Sequence, residues 1–395
     1  MTKYQGVLAC LLAVAALALA GCGGKDARTP SGMWDSPLHH FNNGIELLDE
    51  GDITGATVQF ELALQIDGEY PPALAGMGYL AALSGDEDAA EDSIDDAYDE
   101  VDDDMPVAVQ LWPYILDIRS RAALYAAGRM DRDDFIEGVD DVFADASEIA
   151  PENAALYYWT GEAYVDALEL RAAEVMFHRV LEMKHGYEER ARARWEVVQA
   201  ANRAAPGTVV GKRIALLRTI TRADLAALLV EELRVKRFYS RTQSVMDKSF
   251  QTPDQSRAAV ALDVEAAVRD IDGHPLRADI EKVLHYGVKG LDLYPDRTFR
   301  PQAAVTRAEA AMVFEDIIVR ATGDKALATR YIGQESHFPD VRGDHSAFNA
   351  IMLCTTRGVM QADIRTGAFR PLGRLSGVEA LGAVQRLRHE LRLFE

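Results

Sequence analysis

Cysteine is scarce in this chain. Cys10, Cys22 and Cys354 are the three in 395 residues, too few for a disulfide framework, and no two of them form a CxxC pair for zinc or redox chemistry. A phosphate-cradling glycine loop, an HExxH helix and a nucleophile elbow are also missing. Acids are plentiful, yet no two stand at a spacing that pairs them for acid–base work in a pocket. These absences argue against an enzyme, a metal site and a bound cofactor. Positive charge is scarce too, but unevenly. Residues 1–210 hold 14 Lys and Arg against 39 Asp and Glu, whereas residues 211–395 hold 28 against 24. Phosphate backbones need clustered Lys and Arg, so nucleic acid is not expected as a partner. The formal charge of -21 resides in the first half, and the change near Pro206 marks a domain boundary.

What is present begins at the N-terminus. Lys3 precedes an apolar run from Val7 to Ala20, short for a bilayer span and of the length of a secretory signal core. It ends in Leu19-Ala20-Gly21-Cys22, which resembles the bacterial lipoprotein signal. The resemblance implies removal of residues 1–21, lipidation of Cys22, and an envelope location on the outer membrane facing the periplasm. Two or three acyl chains would make that attachment stable. Residues 22–35 read as a flexible Gly/Pro/Ser tether. With Cys10 removed and Cys22 acylated, Cys354 stands alone in the apolar run Ile351-Met352-Leu353 and reads as a buried small hydrophobe.

Residues 36–205 repeat. Gly44, Ala56, Phe60 and Ala63 are spaced 12, 4 and 3; Gly78, Ala90, Ile94 and Ala97 repeat the spacing 34 residues later, and Gly161, Ala173, Phe177 and Val180 give it again. Ala127, Val139, Phe143 and Ala146 form a looser copy. This pattern resembles the tetratricopeptide repeat, in which a small residue lets two helices approach and an aromatic fills the gap to the next pair. The resemblance implies a stacked helical solenoid whose groove binds a protein partner. The acidic stretch Gly85 to Asp104 reads as a solvated helix face, with a basic docking partner or loose divalent-cation binding as the alternative. Tyr157, Tyr158, Trp159 and Tyr164 read as core and groove lining. His39 and His40 are adjacent and would not face one site on a helix.

Residues 206–395 repeat differently. Gly287-Val288 leads to Phe299-Arg300-Pro301 and then Thr306-Arg307-Ala308-Glu309. Gly358-Val359 leads to Phe369-Arg370-Pro371 and then Ser376-Gly377-Val378-Glu379. Asp270-Ile271-Asp272-Gly273 matches Asp340-Val341-Arg342-Gly343. A partial first copy is Ile220-Thr221-Arg222-Ala223-Asp224. Ser or Thr followed three residues later by Asp or Glu is a capping box, so Thr221/Asp224, Thr306/Glu309 and Ser376/Glu379 are expected to open three amphipathic helices. The run YPDRTFRPQAAVTRAE resembles the S-layer homology domain. That resemblance implies three repeats arranged as a pseudo-threefold helical module with long loops, and grooves that hold a cell-wall polysaccharide bearing acidic groups. It makes Arg307 and Arg222 the anion contacts and places Asp292, Tyr294 and Asp296 on the groove wall. Arg300 and Arg370 would add positive charge. The third copy has Gly377 where the others have Arg, with Arg374 or Arg370 as the candidate substitute, and the Trp that the family often carries is absent from residues 210–395.

The chain is therefore expected to be all-α, a tetratricopeptide-like solenoid followed by an S-layer-homology-like module. The function expected is a lipid-anchored tether to peptidoglycan or a linked wall polysaccharide, with a protein partner recruited through the repeats. The alternative is a scaffold lipoprotein of an outer-membrane secretion, pilus or polysaccharide-export complex that binds no glycan.

Overall fold

The computed structural model describes residues 28–32, 34–183, 186–239 and 268–392. The signal-like segment and Cys22 lie outside them. Apart from two isolated bridges, Thr221 with Ala304 and Thr306 with Arg374, the described residues are organised in helices and loops. No described helix is long and apolar enough to cross a membrane. The chain divides into two compact units between Trp159 and Thr160.

The first unit is a run of sequentially packed helices: α1 (Pro37–Glu50), α2 (Ile53–Ile66), α3 (Pro71–Ser84), α4 (Glu87–Asp99), α5 (Val107–Ala126), α6 (Arg132–Ile149) and the start of α7 (Ala154–Asp166). Local chemistry sets the boundaries. Ser36, Asp52, Asp86 and Asp131 each accept a first-turn N–H, satisfying donors that a helix start leaves orphaned. Gly51 and Gly85 close α1 and α3 in the left-handed conformation, which costs glycine little. The repeat spacing has a steric reason. Phe60 is fully buried between α1 and α3, where Gly44 and Gly76 present bare backbone to its ring; a Cβ on Gly76 would lie 2.8 Å from it. The looser copy lacks this arrangement: Ala127 falls beyond the end of α5, and Gly138 is packed against the Arg121 side chain. Near the N-terminal end, Arg28 pairs with Asp35 at 2.6 Å and donates its backbone N–H to Gln65 O.

The second unit opens with the end of α7, α8 (Leu170–Met183) and α9 (Glu188–Ala204). Here Phe177 sits against Gly161 as Phe60 does against Gly44. Then come three pairs, each a short helix followed by a capped one: α10 (Val209–Ala215) with α11 (Arg222–Ala227, continuing as a π-helical turn Leu228–Glu232), α12 (Arg277–Tyr286) with α13 (Arg307–Thr322), and α14 (Phe348–Thr356) with α15 (Gly377–Arg392). Thr221/Asp224 and Thr306/Glu309 form complete capping boxes, and Ser376 exchanges the same contacts with Glu379.

The pairs interlock cyclically. The short helix of each copy packs on the capped helix of the copy before it: α12 on α11, α14 on α13, and α10 on α15. At the centre three buried residues close a ring of backbone hydrogen bonds. Ile220 N donates to Leu375 O at 2.9 Å, Leu375 N to Val305 O at 2.9 Å, and Val305 N to Ile220 O at 3.0 Å. Buried N–H and C=O groups are costly unless paired, and this ring pairs three of each across all copies. Glu232, 3% exposed, locks the start of the module by accepting from Gly207 N, Thr208 N and Thr208 Oγ at 2.8–3.1 Å. Cys354 is fully buried, and burial pushes its thiol well above the ordinary range.

Candidate functional site

The first two capped helices each receive the loop of the following copy at their first turn. Arg222 N and Ala223 N donate to Ala303 O and Pro301 O; Arg307 N and Ala308 N donate to Gly373 O and Pro371 O. The loops are held in shape by one aspartate apiece. Asp270 accepts from Phe299 N (2.8 Å) and Arg300 N (2.7 Å), and Asp340 accepts from Phe369 N (2.9 Å) and Arg370 N (2.6 Å). Phe299 and Phe369 are fully buried. Arg300 and Arg370 both adopt φ of 57°, a left-handed conformation that strains a side chain with a Cβ. The two aspartate clamps hold them there.

The arginines of the two boxes differ in what surrounds them. Arg222 is 8% exposed. Its Nε donates to Phe299 O (2.9 Å), Nη1 to Gly290 O (2.9 Å) and Nη2 to Asp292 O (2.8 Å), while its plane lies over the Phe299 and Tyr294 rings. Burial lowers its pKa, and the carbonyl dipoles compensate its charge. It staples two copies together, with its donors turned inward. Asp292 and Asp296 serve their own loop: Asp292 accepts from Gly290 N, and Asp296 accepts from Thr298 N and Oγ and pairs with Arg300 at 3.2 Å. The Thr298 contacts bring the Asp296 carboxyl down to about 2. Tyr294 lies under Arg300, 4.0 Å from its guanidinium carbon. Arg370 is exposed and paired with Asp363 at 3.2 Å.

Arg307 repeats the first contacts of Arg222, with Nε to Phe369 O (2.7 Å) and Nη2 to Gln361 O (2.6 Å). Its Nη1 instead meets a carboxylate, Glu379 Oε1, at 2.7 Å. It lines an open cavity of about 450 Å³ whose other lining includes Arg203, Gln361, Leu375, Val378, Glu379, Ala383 and Arg386. Among the box residues, Arg307 thus stands at a space a ligand could enter.

The third junction explains Gly377. Copy one has no long loop, just Leu216 to Ile220 between its helices, so nothing is available there to cradle an arginine. The α10 backbone occupies the space instead: Gly377 N donates to Leu217 O, and a Cβ on Gly377 would overlap Ile214 O and lie 2.7 Å from its carbonyl carbon. An arginine at this position is sterically impossible without moving α10. Arg370 belongs to the loop beside Arg307 and does not serve this junction.

The second loop and the capped start of α13 have a family counterpart. Residues 291–311 match the S-layer homology domain. The match runs from the carbonyl cage of Arg222 through the F-R-P turn to the first turn of α13. No curated protein and no solved structure matches the chain. An S-layer homology domain points to the cell envelope and implies binding to a cell-wall polysaccharide.

Sequence reasoning did not assign roles to Asp270, Asp340, Arg203 or Arg386. The aspartates carried a readable signal, the constant separation of 29 residues from each Phe. Arg203 carried none, because its sequence neighbours belong to the repeat-like helices.

Proposed function

We propose that the chain is a binding protein of the bacterial envelope. Its S-layer-homology module anchors to an anionic cell-wall polysaccharide through the groove at Arg307. The observation that carries this reading is Arg307 on the wall of a cationic cavity, within the matched segment, with one carboxylate already on its guanidinium. A ligand carboxylate can take the Nη1 that Glu379 now occupies, since a charge-assisted N–H to carboxylate contact is stronger than a neutral one. Arg222 acts in this reading as a structural staple, and Arg300 and Arg370 contribute positive charge outside the groove. Lipidation at Cys22 would hold one end in the outer membrane, and the helical array, tetratricopeptide-like in spacing, would recruit a protein partner. No catalytic step is assigned.

The test is pelleting of the full mature chain with isolated cell walls of the source cells. Wild type should sediment, and Arg307→Ala should lose most binding. Because the variant also leaves the Phe369 and Gln361 carbonyls without their donor, circular dichroism and thermal melting are run beside it to separate lost binding from lost folding. Failure of wild type to sediment with any wall fraction would remove the anchoring reading. It would leave the alternative, an assembly scaffold, which the inward-turned Arg222 favours; co-purification of one outer-membrane complex without wall material would support it.

A further inference from the structure

Helix α9 belongs by sequence to the repeat-like part of the chain, yet its last turns line the Arg307 cavity. Ala200, Arg203 and Ala204 line it together with Val378, Glu379 and Arg386, and α9 packs on α15. Among the described residues, Arg203 is exposed and its side chain forms no ion pair or hydrogen bond. Arg386 donates Nε to Val359 O at 3.0 Å, and among the described residues neither Nη has a hydrogen-bond partner. The groove therefore carries three guanidinium groups against one carboxylate, and that carboxylate is already matched to Arg307. Arg203 has no carboxylate facing it, and Arg386 shares with Arg307 the field of Glu379, so the groove keeps an excess of positive charge beside a floor of small and apolar residues.

We infer that Arg203 is a ligand-binding residue of this groove, and that the groove takes an acidic oligosaccharide with carboxylates on more than one sugar. A single carboxylate would satisfy one cation and leave the other facing water. A strand with repeated carboxylates engages both, while the sugar C–H faces lie on Ala200, Ala204 and Val378. The site then lies wholly within the second unit and combines α9 with the S-layer-homology repeats, so binding requires both. This inference rests on reading the groove as a glycan site.

The full mature chain is titrated calorimetrically with oligogalacturonate, which bears a carboxylate on every sugar, and with a neutral maltooligosaccharide of equal length. Pelleting on cell walls runs in parallel. Wild type should bind oligogalacturonate with salt-dependent affinity and ignore the neutral chain. Arg203→Gln and Arg386→Gln should each weaken binding about tenfold, and Arg330→Gln, outside the groove, should change it less than twofold. A cation in the last turn of α9 also complements the helix dipole. Arg203→Lys, which keeps that charge but not the paired donors, should therefore keep the wild-type melting temperature and still bind severalfold more weakly. Equal affinity of Arg203→Gln and wild type for oligogalacturonate would overturn the inference, as would absence of wild-type binding. Walls that fail to pellet the wild type while Arg203-dependent oligogalacturonate binding persists would sink the anchoring reading alone. Wall binding lost in Arg307→Ala but kept in Arg203→Gln would sink this inference alone.

Discussion

Replacing Glu379 by Gln should strengthen ligand binding, an outcome that separates an internal competitor from a supporting residue. Glu379 has two tasks. Its Oε2 accepts from Ser376 N at 3.2 Å and Ser376 Oγ at 3.1 Å, closing the box that starts α15, while Oε1 pairs with Arg307 Nη1 at 2.7 Å. Gln serves a capping box as Glu does, so the first task survives the substitution. The second does not, because a neutral amide offers no charge to the guanidinium. Two unit charges 4 Å apart interact by about 4 kcal/mol at an effective dielectric of about 20. The carboxylate side chain is 46% exposed, however, and exposed pairs are measured at about 0.2–1 kcal/mol. We take about 1 kcal/mol as the net pairing energy. A ligand carboxylate must displace Glu379, so its removal should tighten oligogalacturonate binding about fivefold. The melting temperature should fall by a few degrees at most. Calorimetry on Glu379→Gln and wild type at equal ionic strength reads the difference. Unchanged or weaker binding, with the helix intact by circular dichroism, would refute displacement of Glu379 as a step in binding.

Three further outcomes follow from the geometry. Arg222→Ala leaves Phe299, Gly290 and Asp292 carbonyls without their donor and should cost about 3 kcal/mol in urea unfolding; a loss under 1 kcal/mol would show that the cage is not a staple. Gly377→Ala drives a Cβ into Ile214 and should cost about 3 kcal/mol or more by the same assay, whereas Gly373→Ala, 3.0 Å from Arg370 O, should cost less. Asp296, held at about 2 by Thr298 and Arg300, has a folded pKa below its unfolded one. Its contribution is therefore present above the ordinary carboxylate range and is lost as pH falls from about 4 toward 2. Carbon NMR titration should place its midpoint near 2, and Thr298→Val should move that midpoint up; a midpoint near the ordinary aspartate value would contradict the loop hydrogen bonds.

What the sequence by itself determined is local. A capping box spans three residues, and Thr221/Asp224, Thr306/Glu309 and Ser376/Glu379 carry their partners within one helical turn, so their chemistry is readable from spacing alone. The same holds for helix pairing in the first unit, where a glycine and a phenylalanine at fixed offsets meet because two short helices joined by a tight turn must pack antiparallel. The F-R-P loops are legible for a related reason: two copies kept the same residues.

Tertiary structure decided which arginine faces a groove. Arg222 and Arg307 occupy equivalent positions in nearly identical text and both are largely buried, yet Arg222 has all three nitrogens on carbonyls, whereas Arg307 has one on a carboxylate at the wall of a cavity. The difference comes from residues far away in sequence: Arg222 meets Asp292 O, 70 residues on, where Arg307 meets Glu379, 72 residues on. Gly377 likewise reads in the sequence as a missing arginine, and the fold shows it as the point where α10 closes the ring. Arg203 could not be found from sequence at all, because its role depends on α9 reaching the third capped helix. Such contacts are set by the cyclic packing of three copies, in which the first short helix returns to the last capped one. Local hydrogen-bonding rules specify each helix start, but the closure of the ring specifies the groove.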